Sequence, residues 1–290
     1  MKYNAFTSQN GNQLKFSDNT FRIIQSFMYE HAGINLTDAK KMMVASRLRK
    51  RVIDCGFEDY KQYFEYAING EGLKNGEFQH CVDRLTTNET YFYREPQHYH
   101  YLEKTIIPEY ANKGSAPFRI WCAAASTGEE PYNLAMLLDN SNQIRNGWSV
   151  WATDISHRVL ESAKAAIYPL SRVDKLPDSL HKKYLMRGKN RQIQNVRVVP
   201  ELRNKVKFET FNLISSALPQ EKFDVIFCRN VLIYFDEPTK KNVIRRLLQC
   251  LNRGGYLITG HSESIHMICP ELKSEATSVY RKKSDIGVTT

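Results

Sequence analysis

The segment at 118–138 constrains the fold of this chain more than any other stretch. Its apolar run at 120–125 is typical of a buried strand, and the small residues that follow, together with Gly128, allow a tight turn. After the turn, Pro131 suits the first turn of a helix, and leucines then recur at helical spacing up to Leu138. The segment therefore predicts a strand, a turn and a helix in succession.

A second short strand is predicted at 148–154, and it ends in the carboxylate of Asp154. Asp154 follows Gly128 by 26 positions, which is near the distance at which nucleotide-binding βαβ units place the acid that accepts ribose hydroxyl groups. The pattern predicts a nucleoside cofactor above the ends of these strands. An alternative interpretation makes Asp154 a helix cap before Ile155 and Ser156.

The charges at the turn indicate which nucleoside it suits. Dinucleotide sites use several glycines so that the backbone can approach a pyrophosphate at a helix N-terminus. Here there is one glycine, and Glu129 and Glu130 stand where the phosphate would lie. Two carboxylates would repel a pyrophosphate, but they suit S-adenosylmethionine (SAM), which carries an ammonium and a sulfonium and no phosphate. The turn favours a methyl donor, although acids in a first helical turn also complement the helix dipole.

Composition narrows the class of protein. With 290 residues, 42% hydrophobic and 25% charged, the chain matches an ordinary globular protein of one large or two modest domains. No apolar run approaches the length that crosses a bilayer, the polar N-terminus lacks a secretory signal, and the six cysteines form no Cys-x-x-Cys pair. We therefore expect a cytoplasmic protein with no metal site and no membrane insertion. The net charge of +10 favours an acidic partner.

Periodicity divides the chain into two parts. The spacing of apolar residues up to residue 85 is helical, and strand-like and helix-like segments alternate after residue 98, as in a doubly wound α/β domain. The expected boundaries are a flexible tail at 1–15, a helical domain at 16–85, a linker at 86–97 that contributes to the cofactor site, an α/β domain at 98–283 and a flexible tail at 284–290. Residues near 187–207 predict a small antiparallel β-subdomain, although 208–211 fits a core strand equally well.

The second predicted helix, which begins at Thr37 or Asp38, is strongly basic. Lys40, Arg47 and Arg51 fall on one narrow stripe of it, and no acid lies between the first and the last of them. The three could meet an acidic surface together. A solvated basic face is the alternative interpretation.

Four segments then occur in order: LTTNETYFYRE at 85–95, AAASTGEEPY at 123–132, FCRNVLIYFD at 227–236 and GHSE at 260–263. Together they strongly resemble the chemotaxis receptor methyltransferases, the CheR family, over nearly the whole chain. The resemblance implies an α/β fold: a Rossmann-like SAM-dependent methyltransferase domain with a small antiparallel β-subdomain, preceded by an all-helical N-terminal domain.

The activity that the resemblance implies is protein-glutamate O-methylation. Members of the family transfer a methyl group from SAM to glutamates on the cytoplasmic helical bundle of chemoreceptors, forming γ-glutamyl methyl esters and S-adenosylhomocysteine (SAH). Some members also bind a C-terminal receptor peptide through the β-subdomain, and 187–199 occupies that region here. The expected partner is therefore a chemoreceptor, with no nucleic acid. A C-terminal receptor peptide is a second partner only if this copy of the β-subdomain carries the binding site, and Gly188 supplies the only glycine of that region.

The resemblance also implies roles for individual residues. Arg94 and Tyr234 are the candidates to orient the incoming carboxylate. Because receptor methylation helices are rich in glutamate, we also hypothesise that the basic stripe of Lys40, Arg47 and Arg51 steers the receptor bundle. The implied cofactor-binding residues are Asn88, Thr90, Arg94, Glu130, Asp154, Asn212, Leu213, Arg229 and Asn230. A glutamate with a pKa near 4.3 is already an anion at neutral pH, so no catalytic base and no Cys/His, Ser/His or metal constellation is expected.

Three other functions fit parts of the pattern. The high pI of about 9.2 would suit a nucleic-acid methyltransferase, because its substrate is a polyanion. This alternative predicts strongly salt-dependent binding to RNA or DNA. A nicotinamide oxidoreductase is disfavoured by the glutamates of the turn. A non-catalytic adaptor with the same fold would keep the pocket residues without the activity.

Overall fold

The computed structural model describes residues 6–7, 13–113, 116–190, 193–265 and 268–283. The chain divides into two compact units. The N-terminal unit runs up to Thr87 and includes Tyr234–Asp236, and the C-terminal unit consists of Asn88–Ile233 and the chain from Glu237 onward. The tail expected at 284–290 and most of the tail expected at 1–15 lie outside the described residues.

The N-terminal unit is mainly helical. Its elements, as far as they are described, are β1 (Phe6–Thr7), β2 (Gln13–Leu14), α1 (Asp18–Ala32), a 3₁₀ turn (Asp38–Lys40), α2 (Lys41–Asp54), α3 (Tyr60–Ile68), α4 (Gly70–Lys74) and α5 (Glu77–Leu85). The two short strands pair in antiparallel fashion.

Local sequence sets the ends of the first helix. The Ser17 hydroxyl accepts a hydrogen bond from the Thr20 N–H at 3.0 Å, as an N-cap should. At the other end Gly33 adopts φ 70°, a left-handed conformation that glycine tolerates, and ends the helix. Between these caps, Phe21, Ile24 and Met28 are buried and form the apolar face.

The C-terminal unit alternates strands and helices. Its elements within the described ranges are α6 (Pro96–Tyr101), a π-helical stretch (Leu102–Ile106), α7 (Ile107–Lys113), β3 (Phe118–Cys122), α8 (Glu129–Asn140), β4 (Trp148–Asp154), α9 (His157–Ala165), β5 (Ile167–Pro169), a 3₁₀ turn (Leu170–Arg172), α10 (Asp178–Tyr184), β6 (Leu185–Arg187), β7 (Asn195–Val198), α11 (Pro200–Arg203), β8 (Val206–Thr210), β9 (Phe223–Cys228), α12 (Glu237–Cys250), β10 (Leu251–Thr259), β11 (Leu272–Ala276) and β12 (Val279–Lys282).

The large sheet has the strand order β11-β12-β10-β9-β3-β4-β8 in the part of the chain that the structure describes. Strands β10, β9, β3, β4 and β8 are parallel, and β12 and β11 are antiparallel additions at one edge. Because β9, β3 and β4 are neighbours, their carboxyl ends meet at one edge of the sheet, where ligands bind in open α/β folds. The predicted α/β fold class is confirmed.

The small sheet has the order β5-β7-β6 and is antiparallel, as expected for a β-subdomain. It spans 167–198 and therefore begins earlier in the chain than the expected range near 187–207. The strand β8 pairs in parallel with β4 instead, with Val206 opposite Val150. The three-residue strands β5 and β6 carry too little apolar alternation to be read from the sequence.

Candidate active site

The turn between β3 and α8 packs tightly against its surroundings. Gly128 adopts φ 95°, and a Cβ placed there would lie 2.8 Å from both the Ala163 Cβ and the Tyr168 hydroxyl. That hydroxyl donates a hydrogen bond to the Thr127 carbonyl at 2.8 Å. Only glycine fits this position, because it tolerates both the left-handed backbone and the close approach.

Asp154 is buried at the end of β4 and faces the turn. Its Oδ2 accepts a hydrogen bond from the Ser126 N–H at 2.8 Å, and its Oδ1 accepts one from the Ser156 N–H at 3.0 Å. The N-cap residue of α9 is Ser156, so Asp154 lies two positions before the cap of that helix. The carboxylate is thus fixed where the first two parallel strands end.

The segment after β8 forms a fixed turn beside Asp154. The Phe211 N–H donates to the Asp154 carbonyl at 3.0 Å, which brings the following residue, Asn212, to the edge of the site. The Asn212 Oδ1 accepts from the Ile214 N–H at 3.1 Å, and the Leu213 carbonyl accepts from the Arg246 Nε at 2.8 Å. The backbone of Asn212 and Leu213 is therefore held from both sides.

At the end of β9, Arg229 forms a buried ion-pair network that we call the Arg229 cluster, consisting of Glu95, Glu130 and Arg229. The Arg229 side chain is only 2% exposed, and its Nη2 lies 3.1 Å from the Glu95 Oε2. Its Nη1 pairs with the Glu130 Oε2. Glu130 also accepts a hydrogen bond from the Cys122 thiol at 3.2 Å, so one residue from the linker and one from α8 meet at the strand end.

The Arg229 cluster carries one more negative than positive charge. Burial alone would raise the pKa of Glu95, but the Arg229 guanidinium outweighs it and holds that pKa below its ordinary value. Two neighbours of the cluster stay neutral, because burial raises the pKa of Tyr99 and lowers the pKa of His98 to about 3. A buried excess charge is unfavourable unless a counter-ion meets it. The cluster is therefore suited to a cationic ligand.

The segment at 88–97, which the sequence predicts as part of a linker, belongs to the C-terminal unit and lies against the same strand ends. The Asn88 carbonyl accepts a hydrogen bond from the Ser126 hydroxyl at 3.0 Å. Arg172 holds the same segment by two hydrogen bonds. Its Nη1 donates to the Thr90 carbonyl, and its own carbonyl accepts from the Phe92 N–H at 3.0 Å. The Arg94 backbone is held too, since its carbonyl accepts from the Arg229 Nη2 at 2.6 Å.

A cavity of about 370 Å³ lies beside the linker. Its lining contains both acids and bases: Glu89, Thr90, Tyr91, Ser171, Arg172, Asp174 and Lys175. The Lys175 ammonium lies 4.4 Å from the centre of the Tyr91 ring, and the Arg172 Nη1 is 3.4 Å from the Glu129 Oε1. The cavity therefore adjoins the acidic turn that begins α8.

In the N-terminal unit, the three bases of the predicted stripe have internal contacts. Arg51 pairs with Glu77 through its Nε and Nη2, at 2.6 and 2.5 Å. Arg47 donates to the carbonyls of Leu85 and Thr86, both at 3.0 Å. The Lys40 ammonium lies 5.6 Å from the centre of the Tyr234 ring. Arg51 is thus neutralised, whereas Arg47 bonds only uncharged oxygens and keeps its charge.

Comparison with known families shows to which family the chain belongs. The model of the CheR methyltransferase SAM-binding domain matches residues 88–280, and that of the CheR methyltransferase all-alpha domain matches residues 19–86. This chain belongs to the CheR methyltransferase family. The resemblance inferred from the four sequence segments is confirmed.

Individual relatives agree with the family assignment. The chain is 38% identical to a chemotaxis protein methyltransferase of Salmonella typhimurium over 94% of its own length and 93% of the relative. It is 37% identical to the proteins of the same name from Escherichia coli, over 94% of both chains, and Borreliella burgdorferi, over 88% of this chain and 94% of the relative. The chain is accordingly a SAM-dependent methyltransferase of chemotaxis, and the predicted cofactor and enzyme class are confirmed.

The C-terminal unit of this CheR-family chain brings most of the predicted cofactor residues to one edge of its sheet. Asp154, Glu130 and Arg229 lie at the ends of adjacent strands or in the helix that follows one of them. The other predicted residues in that unit lie in the linker or in the loops after β8 and β9: Asn88, Thr90, Arg94, Asn212, Leu213 and Asn230. Tyr234, Lys40, Arg47 and Arg51 belong to the N-terminal unit.

Four polar residues of this edge were given no role from the sequence: Glu95, Arg172, Ser126 and Glu263. Glu95 and Glu263 stand within conspicuous segments, at 85–95 and 260–263. Glu95 pairs with Arg229 and Glu263 accepts from the Asn230 N–H, both distant in sequence, so nothing local indicates that these carboxylates face the protein interior. The one available signal is that an acid inside such a segment has a ligand or a buried partner more often than an isolated surface acid does.

Glu95, His98 and His261 offer ligand atoms that lie within 4.8 Å of one another. This trio resembles a metal site by residue type alone. However, the Arg229 guanidinium, at 3.1 Å from the Glu95 Oε2, places a fixed positive charge against the same oxygen. That oxygen also accepts a hydrogen bond from the His261 N–H at 3.2 Å, so the trio is better explained as part of the ion-pair network. Among the described helices, none is both long and apolar enough for a membrane span.

Proposed function

We propose that this CheR-family enzyme methylates glutamate side chains on the cytoplasmic helical bundle of chemoreceptors, producing γ-glutamyl methyl esters and SAH. It would act in the cytoplasm, where that bundle lies. The observation that carries the proposal is the unbalanced Arg229 cluster, which suits a cofactor with an ammonium group beside a sulfonium. The names of the relatives from Salmonella typhimurium and Escherichia coli support a substrate in chemotaxis.

In this proposal, different residues of the site bind different parts of the cofactor. Glu130 would accept the methionine ammonium, because a carboxylate oxygen can accept more bonds than the Arg229 and Cys122 contacts use. Asp154 would accept the ribose hydroxyls. Asn212 and Leu213 would line the adenine region, and Asn88, Thr90, Arg94 and Asn230 would close the pocket. SAM, when bound, supplies the methyl group on its sulfonium.

The acceptor needs little chemical assistance from the protein. A glutamate with an ordinary pKa near 4.3 is an anion at neutral pH, so the enzyme must position it and exclude water rather than remove a proton. We assign this positioning to Arg94 and Tyr234. The Arg94 Nη1 donates to the Glu89 carbonyl at 2.9 Å, which leaves its other N–H groups to meet a carboxylate without forming an exclusive ion pair.

For receptor binding, the proposal retains the basic stripe of α2 and gives its members unequal weight. Lys40 and Arg47 keep their positive charges and would attract the glutamate-rich bundle directly. Arg51 is neutralised by Glu77, so it would contribute mainly by holding α2 against α5.

A second receptor contact is proposed at the small sheet, for a C-terminal receptor peptide. Ile167 and Met186 flank Arg197 across the three strands and are 49% and 42% exposed. Exposed apolar residues on a sheet with two open edges suit an added peptide strand. A titration of the enzyme with C-terminal receptor peptides tests this contact, and no binding at millimolar peptide would contradict it.

The decisive test of the proposed function is incubation of the enzyme with SAM carrying a radiolabelled methyl group and with receptor-containing membranes. The expected product is labelled receptor whose label is released as methanol by mild alkali, as a carboxyl methyl ester requires. Alkali-stable label on protein, or label on added RNA or DNA in place of the receptor, would contradict the proposal.

A further inference from the structure

The GHSE segment after β10 places a buried carboxylate under the loop that follows β9. Glu263 is 5% exposed. Its Oε2 accepts hydrogen bonds from the Asn230 N–H at 2.6 Å and the Gly260 N–H at 2.7 Å. Its Oε1 accepts from the Ile233 N–H at 3.3 Å. One side chain therefore holds two points of the 230–233 backbone and the end of β10.

The backbone that Glu263 holds is in an uncommon conformation. Asn230 has φ 58°, in the left-handed region that residues other than glycine seldom adopt. Such a conformation persists where the surroundings fix it, and it is frequent at functional sites. The Asn230 side chain donates to the Glu95 Oε1 at 3.4 Å, so its conformation also connects the loop to the Arg229 cluster.

The fit around the carboxylate is close. A Cβ added to Gly260 would lie 2.7 Å from both the Glu263 Oε2 and the Asn230 Nδ2. Burial raises the pKa of Glu263, and the backbone N–H groups of Gly260, Asn230 and Ile233 oppose that rise. Because all three groups are donors, the ionised carboxylate is the form that satisfies them.

We propose that Glu263 is a positioning residue for methyl transfer. Its carboxylate fixes the backbone at 230–233, and thereby sets the conformation of Asn230 and of the chain that leads directly into Tyr234. The inference rests on the proposed function, because it assigns to Glu263 the alignment of residues that the proposal places at the cofactor and the acceptor. It adds a residue outside the predicted site and explains why an acid stands in the GHSE segment.

The test compares Glu263→Gln with Glu263→Asp. Glutamine keeps the size of the side chain and one acceptor oxygen, but its amide N–H groups would face a backbone N–H donor. Aspartate keeps the charge and is one methylene too short to reach both the Asn230 and the Ile233 N–H groups. Both variants are compared with Glu221→Gln, which changes an exposed glutamate before β9.

We expect kcat for receptor methylation to fall about 10- to 100-fold in Glu263→Gln, as for a misplaced reacting group, with KM for receptor within about twofold of wild type and cooperative thermal unfolding retained. Amide hydrogen exchange at 230–233 should become faster. For Glu263→Asp, both kcat and the exchange rate at 230–233 should lie between those of wild type and Glu263→Gln. Glu221→Gln should match wild type in every measurement.

Wild-type kcat and wild-type exchange at 230–233 in Glu263→Gln would overturn the inference, as would a fall in kcat that only follows the loss of folded protein. The exchange measurement needs no methyl acceptor. If wild-type enzyme failed to methylate receptors, the proposed function would be wrong, and exchange at 230–233 would still decide whether Glu263 fixes the loop.

Discussion

Each of the two units pairs glutamate with arginine through one buried side chain, Glu77 in the first and Arg229 in the second, but the charges balance in only one of them. In the N-terminal unit, Arg51 faces a single carboxylate, Glu77, which also accepts a hydrogen bond from the Tyr63 hydroxyl at 2.8 Å. In the C-terminal unit, Arg229 faces two carboxylates, Glu95 and Glu130. The first network is complete as it stands, and the second retains an excess negative charge.

The difference shows how a structural ion pair can be told from a functional one. Burial would raise the pKa of Glu77, but Arg51 and Tyr63 outweigh it and lower that pKa. The pair therefore stabilises the N-terminal unit at pH values above the ordinary glutamate pKa. That contribution is lost as the pH falls from there through the lowered pKa of Glu77. The Arg229 cluster can be balanced only by a further cation, so its unfavourable excess charge is explained by a ligand.

The largest effect is expected when the unbalanced cluster loses its cation. Replacement of Arg229 with Met leaves the carboxylates of Glu95 and Glu130, which are 17% and 12% exposed, beside each other without a counter-charge. Breaking an ion pair with a buried partner in this way costs about 3–5 kcal/mol. Urea denaturation should show that loss in the free energy of unfolding. Arg145→Met, at an exposed position between α8 and β4, is the control and should change the free energy of unfolding by less than about 0.5 kcal/mol. A loss below 1 kcal/mol in Arg229→Met would mean that the cluster is not held by this charge.

Breaking the balanced Arg51–Glu77 pair should lower stability and leave SAH affinity unchanged. Glu77→Gln removes the charge that meets Arg51, which is partly exposed, so we expect a loss of about 1–3 kcal/mol in the free energy of unfolding. Calorimetric titration should give an SAH affinity within twofold of wild type, because the pair belongs to the N-terminal unit and has no proposed ligand. A change in SAH affinity above tenfold would remove the distinction between the two networks.

Glu130→Gln should weaken SAH binding without reducing stability, which is the reverse of the result expected for Glu77→Gln. The substitution removes the excess charge of the Arg229 cluster while Glu95 still pairs with Arg229. SAH affinity should fall about tenfold, or about 1.4 kcal/mol, and the free energy of unfolding should stay constant or rise. Glu161→Gln on the surface of α9 is the matched control for calorimetry and denaturation. A destabilised variant that binds SAH normally would show that Glu130 serves the fold instead of the ligand.

The effect that is smallest near neutral pH should appear in the pH dependence of stability. Burial and the nearby Arg229 lower the pKa of His98 to about 3, whereas an unfolded histidine titrates near pH 6.5. The unfolded chain thus binds a proton between these values that the folded chain does not, so the free energy of unfolding falls as the pH drops from about 6.5. Denaturation at several pH values should give a shallower slope in His98→Gln, by up to about 1.4 kcal/mol per pH unit. The exposed His157→Gln should keep the wild-type slope, and an unchanged slope in His98→Gln would contradict the assigned pKa.

The features that the sequence predicts well are those that neighbouring residues determine. The strand, turn and helix around Gly128, and the carboxylate that ends β4, follow from apolar spacing and turn chemistry within about 30 residues. The polar and aromatic residues before Pro96 also predict a linker at 86–97, and the structure includes 88–97 in the C-terminal unit.

What the sequence does not predict is which charges meet. Arg51 and Arg229 look alike as isolated basic residues, and only the fold shows that one faces Glu77 and the other faces Glu95 and Glu130. The stripe on α2 likewise predicts a shared face but not the internal hydrogen bonds of Arg47. The strands β5 and β6 are not predicted, because three residues are too few to establish the alternation of apolar and polar residues that marks a strand.

The most direct test is a calorimetric comparison of SAH with an analogue that lacks its amino group, performed on wild-type enzyme and on Glu130→Gln. If the Arg229 cluster holds the ammonium, wild-type enzyme should bind the analogue at least about tenfold more weakly than SAH, and Glu130→Gln should bind the two ligands nearly equally. The same loss of affinity in both proteins would show that the ammonium is recognised elsewhere, and would contradict the role assigned to the excess charge.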